Sequence, residues 1–295
     1  MKKVLSLLVA TIVAFSAYAN TTDENNDETS KWKVDGVTGI NFSQTSLTNW
    51  AGGGENSLAG NAYLNGTLTY KSGNWAWDNN LALDYGLART ASTGARKSTD
   101  KIDFASKLGY KATEKLFYTG LFDFKTQFAE GYKYDGDNRN RISNFMAPAY
   151  GTLSLGLDYK PSDNFSLYYS PLAAKMTWVN DDEFSLAGMF GVEPGDKFKG
   201  EFGSYLKTVY KVKVMDNVDL ISKADFFTAY DKSLGNIDVD WDVLISMKIN
   251  KLLSATLNTT MRYDDDVAYI DQDGNSKGPK IQFRQILGVG LAYNF

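Results

Sequence analysis

Asp238, Asp240 and Asp242 stand at alternate positions of one segment, separated by Val239 and Trp241. On an extended strand, alternate side chains share a face, so these three carboxylates would project to one side. Paired carboxylates can divide acid and base roles in glycoside hydrolysis, and they can equally form a solvated wall. The chain contains no histidine and no cysteine. That removes Ser-His-Asp and Cys-His nucleophile systems, His-ligated zinc and any disulfide framework. The carboxylates therefore read as wall charges. No catalytic residue, cofactor or metal is expected, and the chain is not expected to be an enzyme.

Other charged residues fall on the same parity of neighbouring segments. Asp84, Asp123, Lys125, Lys207, Lys223, Asp225, Asp238, Asp240, Asp242, Arg262 and Arg284 would face a common interior and line a pore. Lys71, Lys111, Lys160, Lys211, Lys213 and Lys248 cluster beside short turns, making one mouth basic. Toward the longer connections the charges turn acidic, with Asp84, Asp238, Asp240, Asp264, Asp265, Asp266, Asp271 and Asp273. A narrow pore with such an acidic outer vestibule would concentrate cations. The same charges could instead pair across the lumen and close it.

The elements that must position these charges are long strands. At the C-terminal end Ile281, Phe283, Leu287, Val289, Leu291, Tyr293 and Phe295 share one face, interrupted by Gln285, against Gln282, Arg284, Ile286, Gly288, Gly290, Ala292 and Asn294. This two-residue period outlasts an ordinary strand of about 5–6 residues and suits a bilayer-crossing one. The pattern recurs near 32–43, 58–71, 75–89, 101–111, 115–128, 153–160, 165–178, 200–214, 217–230, 237–249 and 253–263. The expected fold is all-β: a transmembrane antiparallel up-and-down β-barrel of about 12 strands. A one-residue slip would turn a row of charges to lipid, so the register is well specified.

Short turns at 71–74, 112–114, 161–164, 215–217 and 250–252 alternate mostly with longer polar connections at 45–56, 90–100, 129–149, 180–198 and 264–279; the link near 231–235 is short. Short periplasmic turns and longer extracellular loops would give this alternation, and the even strand count places both termini in the periplasm. Tyr70, Trp75, Trp77, Tyr110, Tyr118, Tyr159, Phe165, Tyr210, Tyr293 and Phe295 lie toward the short-turn ends, as a headgroup-level girdle would. Tyr85, Phe128, Trp178, Tyr230, Tyr263 and Phe283 would form the opposite girdle.

Lys2 and Lys3, an apolar run from Val4 to Phe15 and Ala17-Tyr18-Ala19 form a signal-peptide pattern. The expected organisation is a signal peptide over 1–19, a polar acidic lead-in over 20–31 and the barrel over 32–295. The expected location is the bacterial outer membrane, among lipid and lipopolysaccharide. Tyr293 and the terminal Phe295 resemble the signal read by the outer-membrane assembly machinery. A net charge of −4 with no basic face gives no reason to expect a nucleic-acid partner.

Weaker signals sit in the loops. Ala51–Asn56 is glycine-rich but lacks the Gly-Lys-Ser/Thr of a phosphate loop. Asp135-Gly136-Asp137-Asn138 lacks the later ligands of a calcium loop. The acidic runs at 181–183 and 264–266 could hold divalent ions bridging lipopolysaccharide, or simply be solvated.

The stretch Ser46-Leu47-Thr48-Asn49-Trp50-Ala51-Gly52-Gly53-Gly54-Glu55-Asn56-Ser57 resembles the hallmark of an uncharacterised outer-membrane barrel family of Bacteroidota. Ser170-Pro171-Leu172-Ala173-Ala174-Lys175-Met176-Thr177 resembles it too, with Pro171 expected at a bulge. The resemblance implies fold and location and transfers no substrate. Trp50 on its Gly52, Gly53, Gly54 hinge could gate the lumen, anchor a partner or belong to the outer girdle. Two functions stay open: a narrow porin-like channel for small solutes or ions, and a closed accessory barrel docked to a protein partner in a larger membrane assembly.

Overall fold

The computed structural model describes residues 31–47, 55–135, 138–231, 235–250, 253–270 and 276–295. The expected signal peptide over 1–19, nearly all of the lead-in, Trp50, Gly52, Gly53, Gly54, Gly136, Asp137, Asp271 and Asp273 lie outside these residues.

Among the described residues sixteen strands follow one another as β1 (Trp32–Thr45), β2 (Ser57–Ser72), β3 (Trp75–Thr90), β4 (Gly94–Lys111), β5 (Leu116–Thr126), β6 (Gly131–Asp135), β7 (Asn138–Ser143), β8 (Ala149–Ser162), β9 (Phe165–Trp178), β10 (Phe198–Met215), β11 (Val218–Ala229), β12 (Asp238–Lys248), β13 (Leu253–Tyr263), β14 (Ala268–Ile270), β15 (Ser276–Pro279) and β16 (Gln282–Asn294). Twelve of them close into an antiparallel barrel in the order β1-β16-β13-β12-β11-β10-β9-β8-β5-β4-β3-β2. The other four form two hairpins, β6-β7 and β14-β15, inside long connections. No helix among the described residues is long and apolar enough to cross a membrane; the crossing is made by strands.

Alternation decides what faces where. Leu153, Leu155, Leu157 and Tyr159 of β8 are exposed outward, and so are Phe283, Leu287, Val289, Leu291 and Tyr293 of β16. In water such a surface would be an aggregation hazard; in lipid it is the belt that anchors an outer-membrane barrel. From Phe283 to Tyr293 the strand advances ten residues, or roughly 24 Å along the normal at about 3.4 Å per residue and a 45° tilt. Rings pack at both ends of the belt. Trp32 meets Tyr70 and Trp77 at 4.7 and 5.9 Å, and Trp75 meets Tyr110 at 5.1 Å, at the short-turn end. Trp178 meets Phe198 at 5.9 Å and Phe202 meets Tyr230 at 6.0 Å at the other.

One expectation needs correction. The segment 90–100 is not a long loop: β3 and β4 run on as a paired ribbon from Gly86↔Thr99 to Thr90↔Gly94, and only 91–93 turn. Outside the bilayer both faces of a ribbon meet water, so the apolar period stops while backbone pairing continues. The long connection expected between β9 and β10 is there and is partly ordered. It holds a short helix, α1 (Asp182–Leu186), capped by Asp181, and a 3-10 turn at Met189–Gly191. Phe184 and Val192 pack there with Ala147 and Val179 into a small core outside the barrel. The bulge expected at Pro171 is present: β9 shifts register there against both β8 and β10.

Candidate functional site

The inward face carries a layer of ion pairs that crosses the lumen. Lys101 of β4 bonds Asp242 of β12 at 2.6 Å and its own neighbour Asp103 at 3.2 Å. β4 and β12 are six strands apart either way round the ring, which makes them opposite walls. Lys125 of β5 lies between Asp225 of β11 at 2.7 Å and Asp240 of β12 at 2.9 Å. Lys207 of β10 joins Asp123 of β5 at 2.8 Å and Asp225 at 3.1 Å. Each of these lysines holds two carboxylates. Taking such charges out of bulk water is costly, and the close multiple contacts are what offset that cost.

Beside this layer apolar side chains fill part of the lumen. Leu121, Tyr168, Ala173, Tyr205, Phe227 and Ala229 point inward from β5, β9, β10 and β11 and pack as a core. The Tyr205 hydroxyl donates to Asp123 at 3.1 Å, tying the apolar fill to the charged layer. Tyr168 exchanges a hydrogen bond with Ser154 at 2.9 Å.

The remaining wall, from β1, β2, β3, β13 and β16, is lined mainly by neutral polar groups. Asn41 donates to Asn61 and to Thr256, both at 3.2 Å, and Asn61 donates to Asp84 at 2.9 Å. Glycines let these side chains lie flat. A Cβ on Gly39 would stand 2.6 Å from the Tyr63 hydroxyl, and one on Gly288 would stand 2.7 Å from the Asn41 amide. Asn41 Oδ1, Tyr63 Oη, Ser254 Oγ and Asn258 Oδ1 are buried without a hydrogen bond. Three of those four side chains line a cavity of about 40 Å³, which is room for water to satisfy them.

On the short-turn side of the layer the lumen widens into a cavity of about 1230 Å³. Turn residues such as Lys71, Glu114 and Asp163 ring its mouth, and Lys101, Lys125, Lys207, Asp225, Asp240 and Asp242 form its floor. The small amide-lined cavity adjoins it, sharing Asn65, Lys101 and Asn258.

The structure brings together five residues of the expected pore lining with Asp242: Asp123, Lys125, Lys207, Asp225 and Asp240 all belong to the layer. Arg262 reaches Asp240 at 3.5 Å from the outer side. Lys223 lines the vestibule wall. Asp84 belongs to the amide wall, Arg284 donates to Thr99 and Thr260 at 3.2 and 3.3 Å, and Asp238 bonds Lys175 at 2.5 Å. Of the basic mouth, Lys71, Lys111 and Lys213 pair with nearby Asp163, Glu114 and Asp216. Lys160 turns inward to Asp78 and Asp158, Lys211 lines the vestibule, and Lys248 is exposed beside Asn217. Sequence reasoning missed Lys101, Asp103 and Lys175; their only signal was the inward parity they share with the charges it did choose.

Among the described residues the acids of the outer mouth do not stand as a free vestibule. Asp238 and Asp264 both hold Lys175, and Asp266 holds Lys199 at 2.5 Å. In the outer loops Asp181 and Glu183 bind Arg141. The Lys197 ammonium bonded to Asp182 holds that carboxyl below its ordinary range. No group of three acidic side chains among the described residues is arranged to take a metal ion. The base of the glycine-rich loop is fastened by Leu47 N–H to Asn56 Oδ1 at 2.6 Å and by Glu55 to Ser92. Tyr293 faces outward beside Phe295, their rings stacked at 6.2 Å.

Among curated proteins none matches the chain in sequence. Solved structures of similar outline include the translocator domain of the autotransporter NalP from Neisseria meningitidis, at 11% identity over 98% of this chain and 97% of that one, with a TM-score of 0.40. An outer membrane channel from Pseudomonas putida F1 is 12% identical over 92% and 100%, with a TM-score of 0.39. The NanC porin is 7% identical over 88% and 99%, with a TM-score of 0.37. Likeness at this level is one of outline and says nothing of cargo. Residues 42–132, from within β1 to within β6, match the model of a family described as a protein of unknown function (DUF3078), a stretch that contains the Ser46–Ser57 motif.

Proposed function

We propose that this chain is an outer-membrane barrel that works as a narrow passage for small polar solutes, shut at mid-lumen by the ion-pair layer. The observation that carries this reading is that three lysines, each holding two carboxylates, form the floor of a wet vestibule of about 1230 Å³. A lysine with two partners can give up one and keep the other. Water from the vestibule can solvate the freed carboxylate, so such a layer opens at lower cost than an apolar plug. The amide-lined cavity beside the layer marks the wall along which an opened path would run. The absence of histidine from the chain leaves the lumen suited to passage rather than to acid–base chemistry.

In this reading residues 1–19 direct export, 20–31 lead into the barrel, and the short turns with both termini face the periplasm. Tyr293 and Phe295 present the assembly signal, and lipid and lipopolysaccharide surround the apolar belt. The test is conductance of the purified protein in planar bilayers. Wild type should be silent or open rarely, and Lys101→Met/Asp242→Asn should conduct persistently. If the double variant stays as silent as wild type, the gate reading fails.

A second reading, a closed accessory barrel with a protein partner, is favoured by one observation. The apolar fill of Leu121, Tyr168, Tyr205 and Phe227 occupies part of the lumen as a core would. Silence of both proteins, with a partner retained on mild detergent extraction, would select it.

A further inference from the structure

Among the described residues the side chains of twelve lysines and nine acidic residues line the vestibule. Most of these lysines hold a carboxylate, and Lys31 and Lys115 lie exposed at its rim. Lys211 and Lys223 differ: both are half-buried in the wall, and neither forms an ion pair with a described residue. The acids they face are engaged or turned to water: Asp242, the cross-strand partner of Lys223, is held by Lys101, and Asp219, diagonal to Lys211, is exposed. Asp103, which faces Lys223, bonds Lys101 at 3.2 Å. Asp35 and Asp78, which face Lys211, are held by Lys33 and Lys160.

The register brings the two lysines together. Lys211 pairs with Ile221 and Lys223 pairs with Val209, so they are diagonal neighbours on the inner face of β10 and β11. Diagonal neighbours lie about 7–8 Å apart, within the reach of two flexible side chains toward one ligand. Val209 and Ile221 complete the patch with apolar surface that excludes competing donors.

We infer that the vestibule holds a small doubly charged oxyanion between Lys211 and Lys223. The two ammonium groups supply strong charge-assisted bonds, and the excess of lysines lining the cavity raises the local anion concentration. The inference deepens the reading of the vestibule as a solute chamber by naming its solute class as anionic. It does not require the passage to open.

Equilibrium dialysis of the folded, detergent-solubilised chain at low ionic strength against labelled inorganic phosphate and labelled succinate tests it. Saturable binding of either anion is expected. Lys211→Gln/Lys223→Gln should weaken it at least ten-fold, Lys211→Arg/Lys223→Arg should retain it, and Lys197→Gln, in the outer loop beside Asp182 and away from the vestibule, should leave it unchanged. Barrel folding of each variant is checked by circular dichroism. No saturable binding of either anion, undiminished binding in the double Gln variant, or an equal loss in Lys197→Gln would overturn the inference. Because dialysis reads binding alone, its failure leaves the conductance result standing, and the reverse holds too.

Discussion

Replacing Lys125 with Met removes the one cation among the described residues that contacts both of two carboxylates the sheet itself holds together. Asp225 and Asp240 are direct cross-strand partners on β11 and β12, and like charges so placed repel. Lys125 contacts them at 2.7 and 2.9 Å. Breaking a buried pair by deleting one partner typically costs about 3–5 kcal/mol, because the other charge stays buried. Here the loss is moderated from both sides, since Asp225 keeps Lys207 at 3.1 Å and Asp240 keeps Arg262 at 3.5 Å. The expected destabilisation is therefore at the lower end, about 3 kcal/mol. Adding Asp225→Asn and Asp240→Asn to Lys125→Met should recover most of it, because the facing carboxylates are then neutral, Lys207 keeps Asp123 and Arg262 is open to solvent. Urea unfolding in lipid vesicles, followed by tryptophan fluorescence, measures all three proteins. A loss below about 1 kcal/mol for the single variant, the range of an exposed pair, would refute the claim that Lys125 neutralises this site. Failure of the triple variant to recover would refute the electrostatic cause.

Two further outcomes follow from packing. Gly39→Ala places a methyl 2.6 Å from both the Leu291 carbonyl oxygen and the Tyr63 hydroxyl, and should cost about 1–3 kcal/mol by the same unfolding assay. Within the lumen core, Phe227→Ala should cost about 3–5 kcal/mol, whereas Tyr168→Phe, which removes the hydroxyl's bond to Ser154 and its longer one to the Thr119 carbonyl, should cost about 1 kcal/mol. Equal losses for these two variants would show that the core is not packed as described.

The strands were legible because the bilayer imposes its period on them: β16 alternates lipid-facing Phe283, Leu287 and Leu291 with lumen-facing Arg284, Gly288 and Ala292. Legibility ended where the bilayer did. The ribbon of β3 and β4 above Gly86 has no apolar face to betray it, and its pairing shows only in three dimensions. In α1 the signal was local, an Asp181 cap followed by acidic Asp182 and Glu183, yet a five-residue helix leaves no periodicity. The lumen was legible by parity and not by partnership. Parity shows that Lys101 and Asp242 both face inward, but their bond joins residues 141 apart in the chain, a fact settled by ring closure. The same limit hid the apolar fill, since Tyr168, Tyr205 and Phe227 stand at inward positions where only polar residues were expected.

Ring closure itself rests on the seam between β1 and β16, six residue pairs from Val37↔Asn294 to Phe42↔Val289, against fourteen between β1 and β2. The offset of that seam sets the stagger of the whole cylinder, and stagger with strand number sets its girth. A lysine bonded to an aspartate on the opposite wall has a fixed span, so the Lys101–Asp242 bond acts as a calliper on that girth. A slip of two residues at the seam would preserve every inside and outside assignment and still pull the calliper apart. The charged layer thus checks, after the cylinder has closed, that it closed in the right register.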